Sequence, residues 1–120
     1  MSDFFDLLEA RSPQAREAAL MAALPRQVAH AQTRSTAFAG ILAGVDAASV
    51  HDRAALARLP VTRKHELLAL QQQARAKDAS NVFGGFSTMG FGAAMPRLFA
   101  SPGPIYEPEG VGKDYWRMAR

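Results

Sequence analysis

The stretch SNVFGGFSTMGFGAAMP divides this chain into two parts that must fold by different rules. Gly84, Gly85, Gly90 and Gly92 are too many for a helix interior, where each glycine costs about 1 kcal/mol relative to alanine. Residues 76–96 are therefore expected to form a mobile, partly apolar loop. Residues 1–75 before it read as a helical region, and residues 97–120 as a β-hairpin followed by the start of a helix. The expected fold class is mainly α with a short β-hairpin, an α+β arrangement.

Helix boundaries are written in capping residues. Ser12 followed by Pro13 joins a side-chain acceptor to the residue best tolerated at a first helical position, so a helix starts there. Leu20, Leu24 and Val28 recur every four residues, and Pro25 predicts a kink or restart near Leu24 before the helix runs on to about Thr33. A short helix is expected around Phe4 to Glu9. Ser35 or Thr36 caps a helix with Phe38, Ile41 and Leu42, stopped by Gly44. Asp52 opens a short helix through Leu56 and Leu59, Pro60 ends it, and Thr62 caps another with Leu67, Leu68 and Leu70. The apolar stripe of the long helix is expected to share a core with Phe38, Ile41, Leu56 and Leu59.

Arg97 to Ala100 and Ile105 to Glu107 read as strands about a turn with Pro102, Gly103 and Pro104. From Gly110 to Arg120 a last amphipathic helix is expected, with Tyr115, Met118 and Ala119 on one side and no stop signal. The chain is accordingly expected to be a fragment that self-associates through exposed apolar surface.

At 120 residues the chain has room for one core, and its 48% hydrophobic and 21% charged composition suits a folded domain. With no cysteine there is no disulfide scaffold, thiolate metal site or cysteine nucleophile, which fits a cytoplasmic location. No apolar run approaches the roughly 18 residues of a membrane span. Fourteen basic and eleven acidic residues are mixed along the chain, so neither a nucleic-acid partner nor a membrane surface is expected.

Familiar chemical motifs break at identifiable positions. In VGKD, Asp114 stands where a Walker sequence needs Ser or Thr, and Glu107 where it needs its first glycine. MGFGAAM has Met95 in place of the third glycine of a dinucleotide fingerprint, and no strand precedes it. His30, His51 and His65 share no metal-ligand spacing, and no serine sits in a GxSxG setting, so no metal site and no catalytic residue is assigned. Two helices joined through Leu59, Pro60 and Val61, the second opened by Arg63, Lys64 and His65, have the size of a DNA-reading helix-turn-helix. The plainer reading is a connection between packed helices with solvated charges.

The segment GVDAASVHDRAALARLPVTRKHELLALQ, through Gly44, Val45, Asp46, Leu56, Leu59, Pro60, Thr62, Lys64 and Glu66, resembles the N-terminal region of the phenylacetate–CoA ligase family. AFAGIL, with Phe38, is similar to the stretch before it, and RLFASPGP stands where that family has a strand and a Ser/Thr/Gly-rich phosphate loop, continuing into DYWRMAR. The likeness is firm from about Gln14 to Gln71 and looser beyond. It implies the helical N-terminal part of an AMP-forming adenylating domain, incomplete as this chain. Such an enzyme joins a carboxylate to ATP and passes the acyl group to coenzyme A. ATP, Mg and coenzyme A would be the parent's cofactors and a small carboxylate its substrate, with none bound by this fragment, which would be inactive by itself. Ser101 and Gly103 hold the phosphate-loop position, while Pro102 and Pro104 have no N–H to offer a phosphate. Two other functions fit the residues: a self-sufficient small helical protein that binds a partner, and a helix-turn-helix DNA binder.

Overall fold

The computed structural model describes residues 3–116 and Met118. Four α-helices, α1 Pro13–Arg34, α2 Thr36–Ile41, α3 Arg53–Ala57 and α4 Lys64–Lys77, precede two strands, β1 Arg97–Ala100 and β2 Tyr106–Glu109. A single 3-10 turn, Ala47–Ser49, lies between α2 and α3. The described residues are thus mainly helical with one antiparallel hairpin.

Capping chemistry sets most of the boundaries. Ser12 is extended and its side chain accepts from the Ala15 N–H at 3.1 Å, with Pro13 opening α1. Asp52 accepts from the Ala55 N–H at 2.7 Å to start α3, and Asp46 from the Ala48 N–H at 3.0 Å to start the 3-10 turn. Ser35 serves two helices: its N–H closes α1 on the Ala31 carbonyl, and its hydroxyl accepts from the Phe38 N–H to start α2. Gly44 supplies a positive φ of 78° after α2, a conformation that a side chain would strain.

Several expectations give way. Helix α1 continues through Pro25 without a break, since one missing N–H does not outweigh a helix hydrogen-bonded on both sides. Residues 4–9 form bends and turns, with Asp6 and Glu9 carboxylates taking the Leu8 and Phe5 N–H groups that a helix would use otherwise. Arg63, and not Thr62, is the N-cap of α4, because the Glu66 carboxylate reaches back to the Arg63 N–H at 2.8 Å. Residues 111–116 are bends and turns instead of a helix, with Asp114 at φ 50°; Arg117, Ala119 and Arg120 lie outside the described residues.

The core is small and sits at the C-terminal half of α1. Val28, Leu42, Val50 and Ala55 are buried, with Ala31, Phe38, Ile41, Val45, Ala47 and Leu59 packed around them. Gln32 braces this unit, its amide donating to the Leu42 and Val45 carbonyls at 3.0 and 2.9 Å. The expected stripe reaches the core only at Val28: Leu24 is half-buried, while Leu20 is 52% exposed. The reason is length. Helix α2 and the 3-10 turn are short elements packed on α1, and the N-terminal turns of α1 extend past them. Leu56, expected inside, is likewise exposed. A Glu17–Arg53 pair ties this overhang to α3, with the Arg53 Nη2 2.7 Å from a Glu17 oxygen. The hydrogen bond from Arg53 holds the Glu17 carboxyl below its ordinary range, although two exposed partners contribute little stability.

Leu42→Ala is expected to cost about 2 to 5 kcal/mol in chemical denaturation, as for a buried leucine. Leu20→Ala should stay within about 0.5 kcal/mol. Equal losses at the two positions would place the N-terminal half of α1 in the core and contradict this packing.

Candidate functional site

The hairpin pairs Arg97 with Glu109, Leu98 with Pro108, Phe99 with Glu107 and Ala100 with Tyr106. Its second strand was expected over Ile105 to Glu107 and instead continues through Pro108 to Glu109. The register explains why a proline fits. Ser101 donates its N–H to the Ile105 carbonyl at 3.0 Å, so alternation makes Ala100–Tyr106 and Leu98–Pro108 the pairs without mutual hydrogen bonds. At Pro108 no ladder donor is lost. Arg97 and Glu109, facing each other across the strands, form an ion pair at 2.8 Å; the second Glu109 oxygen is buried without a partner among the described residues.

That Ser101 bond also decides what the turn can offer an anion. Pro102 and Pro104 carry no N–H, and the Ser101 N–H is spent closing the hairpin. Gly103, exposed at φ 98°, keeps one N–H, and half-buried Ser101 keeps its hydroxyl. One amide and one hydroxyl are a poor match for a triphosphate, which is held elsewhere by runs of converging N–H groups. The residues at 101–104 do not fit a nucleotide phosphate loop. Their arrangement is that of a hairpin closure.

A more elaborate junction lies one residue further on. Because Tyr106 belongs to a pair without mutual hydrogen bonds, its N–H and carbonyl point away from β1, and the α4 side chain of Gln71 receives both. Its oxygen accepts the Tyr106 N–H at 2.9 Å and its amide nitrogen donates to the Tyr106 carbonyl at 3.1 Å. The same nitrogen lies 3.4 Å from the Phe83 carbonyl. Gln71 is 1% exposed, so a side chain from a helix acts as one residue of a third strand.

The glycine loop is bound to the helices at two further points. Gly84 passes so close to the Gln71 backbone that an added Cβ would lie 3.1 Å from its Cα. The Gly85 carbonyl accepts from the Ser35 hydroxyl at 2.7 Å and from the Ala37 N–H at 3.2 Å, which docks the loop on the start of α2. Phe83 is buried and Phe86 meets Phe38 edge to face with ring centres 5.5 Å apart. The expected loop over 76–96 is therefore a packed connection where it meets the helices, and α4 reaches two residues into it, to Lys77.

Between loop, α4 and hairpin lies a cavity of about 270 Å³, walled by aromatic residues that include Phe38, Phe86, Tyr106, Tyr115 and Trp116. Sequence reasoning found neither this cavity nor Gln71. A signal for Gln71 was present: it follows Leu67 by four residues, on the inward side of α4, where a glutamine must find partners. The helix-turn-helix geometry is not formed, since α3 has five residues and the closely packed helix pairs involve α1. His30, His51 and His65 are exposed, and among the described residues no three His, Cys, Asp or Glu side chains gather as a metal site. Nor is any described helix long and apolar enough to cross a membrane. No family model, no curated protein and no solved structure matches the chain.

Gly85→Ala should destabilise the protein by more than about 1 kcal/mol, because φ is 84° and the new Cβ would collide with the Thr36 hydroxyl. Gly40→Ala, in open space within α2, should be neutral or stabilising by up to about 1 kcal/mol. Denaturation that ranks the two variants in the opposite order would show that the loop is not docked at Gly85.

Proposed function

We propose that this chain is the N-terminal helical segment of a phenylacetate–CoA ligase-like, AMP-forming ligase of the cytoplasm, a scaffold that packs against a larger adenylating body and is inactive by itself. The observation that carries the reading is unsatisfied surface. The chain exposes 8319 Å², whereas a compact monomer of its mass would expose roughly 6300 Å². Its Cα radius of gyration is 16.4 Å against about 14 Å for a compact chain of this length. The excess of roughly 2000 Å² is the size of a substantial protein interface. It is apolar in part, with Leu20, Leu56, Val61, Leu70, Phe99 and Trp116 all more than a third exposed.

In the parent protein a small carboxylate, ATP with Mg and coenzyme A would be handled by other parts of the body, since the 101–104 turn has too few donors for phosphate. Without the body, the exposed side chains favour self-association. The same surface would serve a small helical protein that binds an unrelated partner, so the test must involve the ligase itself.

The chain alone should show no carboxylate-dependent pyrophosphate exchange. Added to a phenylacetate–CoA ligase lacking its own N-terminal segment, it should bind with a Kd of about 10 µM or tighter and restore exchange. Turnover by the chain alone, in proportion to its amount, would overturn the scaffold reading. Failure to bind the truncated ligase, with the chain running as a compact monomer, would overturn the ligase relationship.

A further inference from the structure

We propose that the aromatic cavity between α4, the glycine loop and the hairpin is a binding site for a small organic cation, an ammonium group on a short apolar body. This goes beyond the scaffold reading and does not depend on it. The cavity measures about 270 Å³, large enough for a compact ligand and too small for a nucleotide. Its walls present Phe38, Phe86, Tyr106, Tyr115 and Trp116, and aromatic faces attract a cation through their ring quadrupoles.

Charge selects the ligand class. Glu107 is the one charged residue among the described residues that line the cavity, and no described group donates a hydrogen bond to its carboxylate. Among the described residues no lysine or arginine lines the cavity. Arg75 stands outside the lining, with its guanidinium 4.7 Å from the Tyr106 ring centre and bonded to the Val82 carbonyl at 3.3 Å. Two polar side chains of the wall are committed to the backbone. Gln71 spends its amide on Tyr106 and Phe83, and the Ser87 hydroxyl donates to the Met89 carbonyl at 2.6 Å while accepting the Met89 N–H at 3.1 Å. A neutral apolar molecule would gain burial but not the attraction of the lining rings and the acidic residue.

The protein contains a single tryptophan, Trp116, and it lines the cavity, so its fluorescence reports occupancy directly. Choline chloride titrated into the full chain at constant ionic strength should change Trp116 emission saturably within about 10 mM. Its neutral isostere, 3,3-dimethylbutan-1-ol, should bind at least about fivefold more weakly. Glu107→Gln, at an exposed position that leaves the fold intact by circular dichroism, should bring choline down to the level of the isostere. Absence of a saturable change with choline would overturn the proposal. So would equal binding of choline and isostere, which would mark a merely apolar cleft, or undiminished choline binding by the folded Glu107→Gln protein.

Discussion

The buried amide of Gln71 joins the two halves of this protein. A helix and a hairpin rarely meet through a shared hydrogen-bond ladder, because helical backbone groups are already paired within the helix. Here the side chain of one α4 residue presents an amide in strand-like geometry, and Tyr106 bonds to it with both of its main-chain groups. An isolated two-stranded hairpin is marginal in water, so β1 and β2 need that third partner. Leaving the Tyr106 groups buried and unpaired would cost about 1 to 3 kcal/mol for each.

Around this tie, the loop is positioned by close backbone approach more than by side-chain packing. Gly84 lies against the Gln71 backbone and Gly85 against the start of α2, both at positive φ. Ser35, 2% exposed, gives its hydroxyl proton to Gly85 while accepting from Phe38, so one residue links the end of α1, the start of α2 and the loop. The aromatic cavity is the space left where these constraints meet. The Pro102–Pro104 turn stands apart at the far end of the hairpin, closed by Ser101 and stiffened by fixed φ on either side of Gly103. It offers a rigid hairpin end in place of a flexible anion cradle.

Local chemistry was legible in the sequence. Ser12, Ser35 and Asp52 announced their helices, Gly44 its positive φ, and the Pro-Gly-Pro turn its hairpin, because each acts within a few residues of itself. What depends on distant partners was not. The Leu20, Leu24 and Val28 periodicity shows that α1 has an apolar side, but how much is covered depends on the lengths of α2 and the 3-10 turn. The terminal residues 111–116 carry a helical pattern that tertiary context overrides, with Gly110 buried against the Tyr115 ring. At the candidate site, the missing proline N–H groups could be read directly, whereas the loss of the Ser101 N–H to Ile105 required the register.

Gln71 holds the hairpin to the helices through both main-chain groups of Tyr106. Amide hydrogen exchange in Gln71→Leu, which keeps the side chain's bulk and removes its amide, tests this directly. Protection should collapse at Ser101, Tyr106 and Glu107, while Ser35 and Leu42 in the α1–α2 unit keep theirs as an internal control. Unchanged protection at Tyr106 in a variant that retains the α1–α2 unit would contradict the account, since the hairpin would then be held by something other than this amide.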